Sequence, residues 1–139
     1  MTAAGKATLD PRPRYHMRVA WIDTDASGRI HHTAAFRWAE AAEHALMRDA
    51  GLTVVDGFPR RHVEATFHRP LRFPDAFDLI FGVERIGRSS ITYAWQAVRG
   101  GELCAEGRSI VVHVDEGGRP APVPPELRAV LEQLVASDA

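Results

Sequence analysis

Apolar and polar positions along the chain change period twice. Tyr15–Ile22 (YHMRVAWI) alternates roughly and carries aromatic and β-branched residues, the mark of a half-buried strand. Asp23–Gly28 is short, polar and glycine-ended, and reads as a turn. The period then lengthens: Ala34, Ala35, Trp38, Ala41, Ala42, Ala45 and Leu46 fall on helical spacing, with Arg37, Glu40, Glu43 and Arg48 between them. This predicts a helix capped by Thr33, running to about Ala50 and stopped by Gly51 as its C′ glycine. Its alanine-rich face allows close approach, as when a sheet wraps a helix.

After a loop at Val54–Pro59 the pattern returns to strands: His62–Arg69, Phe77–Arg85, Ser90–Arg99 and Glu102–Val114. Pro70–Asp75, Gly87–Arg88 and Gly100–Gly101 separate them, the last a hairpin signal. Asp115–Pro125 is a Gly/Pro-rich connection, and Leu127, Val130, Leu131 and Leu134 mark a short helix over Pro125–Ala136. The order of strand, long helix, four strands and short helix predicts an α+β domain with an antiparallel sheet. Residues 1–13, with Pro11 and Pro13 and no periodicity, read as a flexible lead-in; residues 14–136 read as one domain. One helix cannot cover a whole sheet, and the bare edges and face predict a homo-oligomer.

Composition narrows the classes further. With 45% apolar and 25% charged residues in a 139-residue chain, the protein reads as an ordinary globular domain. A net charge of −1 gives no general attraction for nucleic acid or acidic lipid. No apolar run approaches the ~20 residues that span a bilayer, and Met1–Arg14 lacks the apolar segment of a secretory signal. A single Cys104 excludes an intrachain disulfide and suits a reducing, cytoplasmic compartment. The seven histidines are scattered without HxH, HxxxH or HExxH spacing, so no metal site is expected. No GxGxxG or Walker spacing points to a nucleotide cofactor.

Candidate chemistry concentrates in Asp23-Thr24-Asp25-Ala26-Ser27-Gly28-Arg29-Ile30-His31-His32, between a strand and the start of the long helix. A carboxylate there faces the positive end of a helix dipole. Asp23 and Asp25 are also natural turn acceptors. Asp23 is read as the acceptor that fixes the loop, Asp25 as the candidate catalyst. His32 stands at the helix start, and His31, its neighbour, is expected to point elsewhere. Glu40 reads as an exposed helix acid and Glu64 as a surface strand acid. Trp21, Trp38 and Trp95 are expected in the core or in subunit contacts.

The stretch Asp23–Gly28 followed by His32 and Phe36-Arg37-Trp38-Ala39-Glu40 resembles the D-x-D-x-x-G motif and following helix of hotdog-fold acyl-CoA thioesterases of the 4-hydroxybenzoyl-CoA thioesterase type. His68–Asp75, Arg85-Ile86-Gly87-Arg88-Ser89-Ser90, Ala105-Glu106-Gly107 and Val123-Pro124-Pro125-Glu126-Leu127 resemble later motifs of that family, in the same order over residues 15–134. The resemblance implies a hotdog fold, an antiparallel sheet wrapped around one long central helix, in a homodimer or a homotetramer. It implies hydrolysis of acyl-CoA to a carboxylic acid and CoA, with no separate cofactor. Asp25 matches the catalytic carboxylate, as general base or nucleophile. His32 and Gly57 match positions that hold the thioester carbonyl, Gly57 through its backbone N–H. Arg85, Arg88, Ser89 and Ser90 match the CoA-binding turn, with Arg60 and Arg61 able to contribute from a neighbouring subunit. A carrier-protein thioesterase and a non-catalytic acyl-CoA-binding module share these features; a hotdog dehydratase places its histidine differently. Arg29 and His31 replace commonly apolar or aromatic positions, and Ala35 stands where many relatives have Tyr, so the acyl pocket is this chain's own.

Overall fold

Five strands and two α-helices form in the order the pattern predicts, in a computed structural model that describes residues 12–52 and 57–135. They are β1 (Arg14–Arg18), α1 (Ala34–Asp49), β2 (Arg60–Phe67), β3 (Ala76–Ile86), β4 (Ser90–Arg99), β5 (Glu102–Val112) and α2 (Pro125–Leu134). Most of the expected lead-in, part of the loop before β2, and Ala136 at the end of the expected last helix lie outside the described residues.

All pairings are antiparallel, and the strand order is β1-β3-β4-β5-β2. The chain leaves one edge of the sheet after β1, crosses its inner face as α1, and returns as β2 on the opposite edge. That path wraps the sheet around the helix, the hotdog arrangement. Ala35, Ala39, Ala42 and Leu46 form the buried stripe of α1, with the three- and four-residue steps of a helix face. Ala34, Ala35, Trp38, Ala42 and Leu46 are buried as the spacing predicts, whereas Ala41 is exposed and Ala39, Glu43 and Met47 are buried in addition. Small side chains along that stripe bring the sheet close, and larger rings fill the flanks. Trp38 packs on Phe77 with ring centroids 4.5 Å apart, and Phe81 on Tyr93 at 5.0 Å. Trp95 is buried against Gly107, where any Cβ would meet its ring at 2.5 Å.

Helix α1 ends in a Schellman motif: Leu52 N–H donates to Met47 O (2.9 Å) and Gly51 N–H to Arg48 O (2.9 Å). Gly100 and Gly101 form the β4–β5 hairpin turn. Leu127, Leu131 and Leu134 of α2 are buried, each contributing about 1.5–3 kcal/mol by burial. No helix among the described residues is long and apolar enough to cross a membrane.

The first strand ends at Arg18, not Ile22. After Val19 N–H donates to Asp75 O (2.8 Å), the backbone turns into a single 3-10 turn over Trp21–Asp23. Trp21 and Ile22 are therefore 72% and 83% exposed. Their alternation continues past the point where the ladder has stopped. Trp38 and Trp95 are in the core as expected, and Trp21 is not.

Candidate active site

Asp25 opens a tight hairpin. Its N–H donates to Arg29 O (2.8 Å), Gly28 N–H donates back to Asp25 O (3.1 Å), and Thr24 pairs with Ile30. Gly28 adopts φ +84°, a conformation in which a side chain is strained. Within this turn the Asp25 carboxylate accepts from Ser27 N–H (2.7 Å) and from the Ser27 hydroxyl (2.5 Å), both at Oδ1. Its second oxygen accepts from no side chain among the described residues. The Ser27 hydroxyl, then the Ser27 N–H, hold the Asp25 carboxyl below its ordinary value of 3.8, with a smaller contribution from His31. Asp25 is thus an exposed carboxylate that stays ionised and keeps one oxygen free.

Asp23, two residues earlier, has the opposite surroundings. It is 7% exposed and accepts from Ala20 N–H (2.8 Å), the Arg37 guanidinium (3.0 Å) and Trp38 Nε1 (3.4 Å). These bonds pin the hairpin to the first turns of α1, the fixing role expected of it. His31 N–H donates to Asp23 O (2.7 Å), which brings the two histidines to the helix start. Their rings stack at 4.4 Å, so His31 does not point away from His32. The rule that neighbouring side chains diverge applies inside a helix, and both residues precede it. Thr33 occupies the N-cap without a capping bond; His31 Nδ1 accepts its N–H (3.2 Å) and pairs with its hydroxyl (2.7 Å). The N–H of Ala35, in the first helical turn, finds no acceptor among the described residues.

An open cleft of about 360 Å³ lies in front of this hairpin. Asp25, Arg29, Ile30 and His32 form one wall, and the chain from Phe67 to Pro70, leaving β2, forms the other. The walls are joined by Ile30 N–H donating to Leu71 O (3.0 Å) and by pairing of Arg29 with Arg72. The second wall was not identified from the sequence, and Arg29 was noted there only as a departure at the acyl pocket. No local pattern reveals them, because the contact joins segments some forty positions apart. No group of three or more His, Cys, Asp or Glu side chains suited to a metal comes together among the described residues.

The remaining candidates lie elsewhere in the chain. Gly57 sits at the other end of β2, its carbonyl accepting from Val114 N–H (2.9 Å). The Arg85–Ser90 turn is at the far end of β3, an 11-residue strand, roughly 30 Å from the cleft at ~3.4 Å per residue. That turn is held from behind: Arg128 donates to Gly87 O and to Arg88 O (3.2 Å), and His113 N–H donates to Ser89 O (2.7 Å). Arg85 and Arg88 make no ion pair among the described residues. One chain therefore unites Asp25 with His32, and leaves Gly57, Arg85, Arg88, Ser89 and Ser90 apart from them. Glu40 and Glu64 are exposed, pairing with Arg60 (3.0 Å) and His62 (2.9 Å).

Comparison with known proteins adds three observations. A sequence profile of the thioesterase-like superfamily matches residues 19–131. Among curated proteins, a candidate esterase of Aquifex aeolicus is 27% identical over 129 residues, 85% of this chain and 96% of that protein. A 1,4-dihydroxy-2-naphthoyl-CoA hydrolase of Prochlorococcus marinus is 26% identical over 98 residues, 60% of this chain and 63% of that protein. Among solved structures, a Thermus thermophilus thioesterase complexed with coenzyme A and zinc superposes with a TM-score of 0.77 at 24% identity, covering 92% of this chain and 97% of that one.

Proposed function

The chain belongs to the thioesterase-like superfamily and is a thioester hydrolase; we propose that its substrates are acyl-CoA esters, which it splits into a free carboxylic acid and CoA. The observation that carries this reading is the ionised, half-unsatisfied Asp25 carboxylate in an open cleft that it shares with His32, two residues before α1. A relative named for a CoA ester and a fold neighbour complexed with coenzyme A support it.

In this reading the thioester carbonyl lies between Asp25 and the helix start. Developing negative charge on its oxygen is stabilised by N–H groups of the first turn, aided by the helix dipole and by His32. Asp25 acts in one of two ways. It draws a proton from an attacking water, or its free oxygen attacks the carbonyl to give a mixed anhydride that water then opens. CoA departs as the thiolate in both. Single turnover in heavy-oxygen water detects the anhydride where water opens it at the Asp25 carboxyl carbon, since label enters Asp25 by no other route.

The site is completed by a second copy. Every residue of β2 except Ala65 is exposed, and β2 is an unpaired edge, so antiparallel pairing of β2 with itself forms a homodimer. Pairing centred between Val63 and Glu64 sets Arg60 opposite the partner's Phe67 and Gly57 opposite the partner's Pro70. Gly57 thereby reaches the other subunit's cleft, and the Arg85–Ser90 turn comes to the same side, two strands away, in position for CoA phosphates. Two such dimers can associate as a tetramer. The buried, unpaired Cys104 suits a cytoplasmic location.

The test is thiol release from a panel of aliphatic and aromatic acyl-CoA esters by wild type and Asp25→Asn. Turnover that disappears in the variant, with CoA binding retained, supports the reading. Cleavage of acylated carrier protein but of no CoA ester moves the substrate to carrier-bound acyl groups. Binding without any turnover leaves a non-catalytic acyl-CoA module.

A further inference from the structure

The cleft around Asp25 is lined by charged side chains of both signs. One carboxylate, Asp25, faces two guanidiniums, Arg29 and Arg69, and two imidazoles, His32 and His68. Part of that charge is met within the fold, because Arg69 pairs with Glu102 (3.1 Å) and His68 with Glu106 (2.8 Å). Arg29 makes no ion pair among the described residues. It stands directly across an isolated bridge from Arg72, whose guanidinium makes none either. Like charges opposed across a strand pair repel, and an anion seated against them relieves that repulsion.

Geometry selects which anion this is. Asp25 N–H and Arg29 O are bonded at 2.8 Å, so the two residues are immediate neighbours. A carbonyl placed at Asp25 is within a side chain's length of the Arg29 guanidinium. The phosphates of CoA are separated from the thioester sulfur by the whole pantetheine arm, and they lie far outside that reach. An anion touching Arg29 while the carbonyl touches Asp25 must belong to the acyl group.

On the premise that the protein is an acyl-CoA thioesterase, we propose that its preferred acyl groups carry a second carboxylate a few carbons from the thioester carbonyl, and that Arg29 is the residue that selects them. Ile30, Phe67 and Pro70 supply apolar surface for the intervening methylenes. The substrate class is the CoA monoester of a short dicarboxylic acid.

The experiment compares succinyl-, glutaryl- and adipyl-CoA with butanoyl-, pentanoyl- and hexanoyl-CoA. Wild type is expected to favour at least one carboxylated ester in kcat/KM by roughly tenfold or more, the scale of one charge-assisted contact. Arg29→Gln collapses that ratio toward unity and Arg29→Lys retains part of it; Arg88→Gln lowers both classes together. Arg29 is exposed and unpaired, so Arg29→Gln folds, as a thermal melt verifies. Equal or better turnover of the uncharged esters, with a ratio unmoved by Arg29→Gln, overturns the proposal and leaves the thioesterase reading standing. If no CoA ester is turned over, that reading fails, and titration with the stable thioethers 4-carboxybutyl-CoA and pentyl-CoA decides this one. Tighter binding of the carboxylated thioether, lost in Arg29→Gln, sustains an anion-selective cleft; equal binding overturns it.

Discussion

Two carboxylates, one in the hairpin before α1 and one on the helix itself, are treated in opposite ways. Asp25 lies in an exposed turn, is bonded only by its own loop, and has its carboxyl held below the ordinary range. Glu43 lies on the helix face under the sheet, 5% exposed, and burial pushes its carboxyl up despite the Arg60 guanidinium at 2.7 Å. Arg60 also reaches Glu40, so a single β2 side chain ties the edge strand to the helix twice. The Tyr93 phenol is buried and makes no hydrogen bond among the described residues, and burial, with a smaller contribution from Glu43, pushes it well up as well. The difference teaches where each carboxylate's capacity goes. The buried one is used by the fold, while the exposed one is positioned by the fold and left with valence to spare.

The comparison is broken most strongly at Asp25. Asp25→Asn should lower turnover by about a thousandfold or more, yet shift unfolding in urea by less than about 0.5 kcal/mol. A large loss of stability would mean that Asp25 is a turn residue first.

At the buried end the expected effect is on stability. Arg60→Met strands Glu43 without its cation and should destabilise by about 2–3 kcal/mol. That figure is discounted because the Arg60 side chain is 31% exposed. Adding Glu43→Leu should restore most of the loss, since a buried pair replaced by apolar groups leaves no orphaned charge. The sign of the pH dependence follows. A folded pKa raised above the ordinary 4.5 contributes stability below that value and loses it as pH rises through the folded value. Glu43→Gln should flatten that part of the stability profile.

Asp23→Ala should cost about 1–2 kcal/mol, because the Ala20, Arg37 and Trp38 donors lose their acceptor. It should also lower turnover through a loosened hairpin, with Asp23→Asn milder on both measures. The smallest expected effect sharpens the role of Ser27. With ionised Asp25 as the proposed catalyst, the acid limb of kcat/KM for wild type is expected below the ordinary carboxyl value, since the Ser27 bonds lower the Asp25 carboxyl. Ser27→Ala should move that limb upward toward the ordinary value. An unmoved limb would show that another group controls it.

Local features were legible where their cause is local. β4 forms over the expected Ser90–Arg99, and Gly51 ends α1 as expected, because turn chemistry and period act within a few residues. The Asp25 turn was visible for the same reason: Asp-x-Ser-Gly closes on itself. The first strand was read as running to Ile22 because alternation does not reveal where a ladder loses its partner. Most of the buried face of α1 was legible from its period, but Ala41 was read as buried in place of Ala39, since the two look alike until something packs on one of them. Glu43 gave no sign of burial, because its partner Arg60 lies seventeen positions away on another element.

By itself the sequence determined the succession of elements, the place of the Asp25 turn and the absence of a spanning segment in the pattern, all consequences of short-range sterics and hydrophobic period. The tertiary structure decided which segments face Asp25, that Arg29 meets Arg72, and that Gly57 and the Arg85–Ser90 turn lie away from the cleft in one chain. Strand order and register set those meetings. They are fixed by burial of whole faces against one another, a quantity that no short window of residues contains.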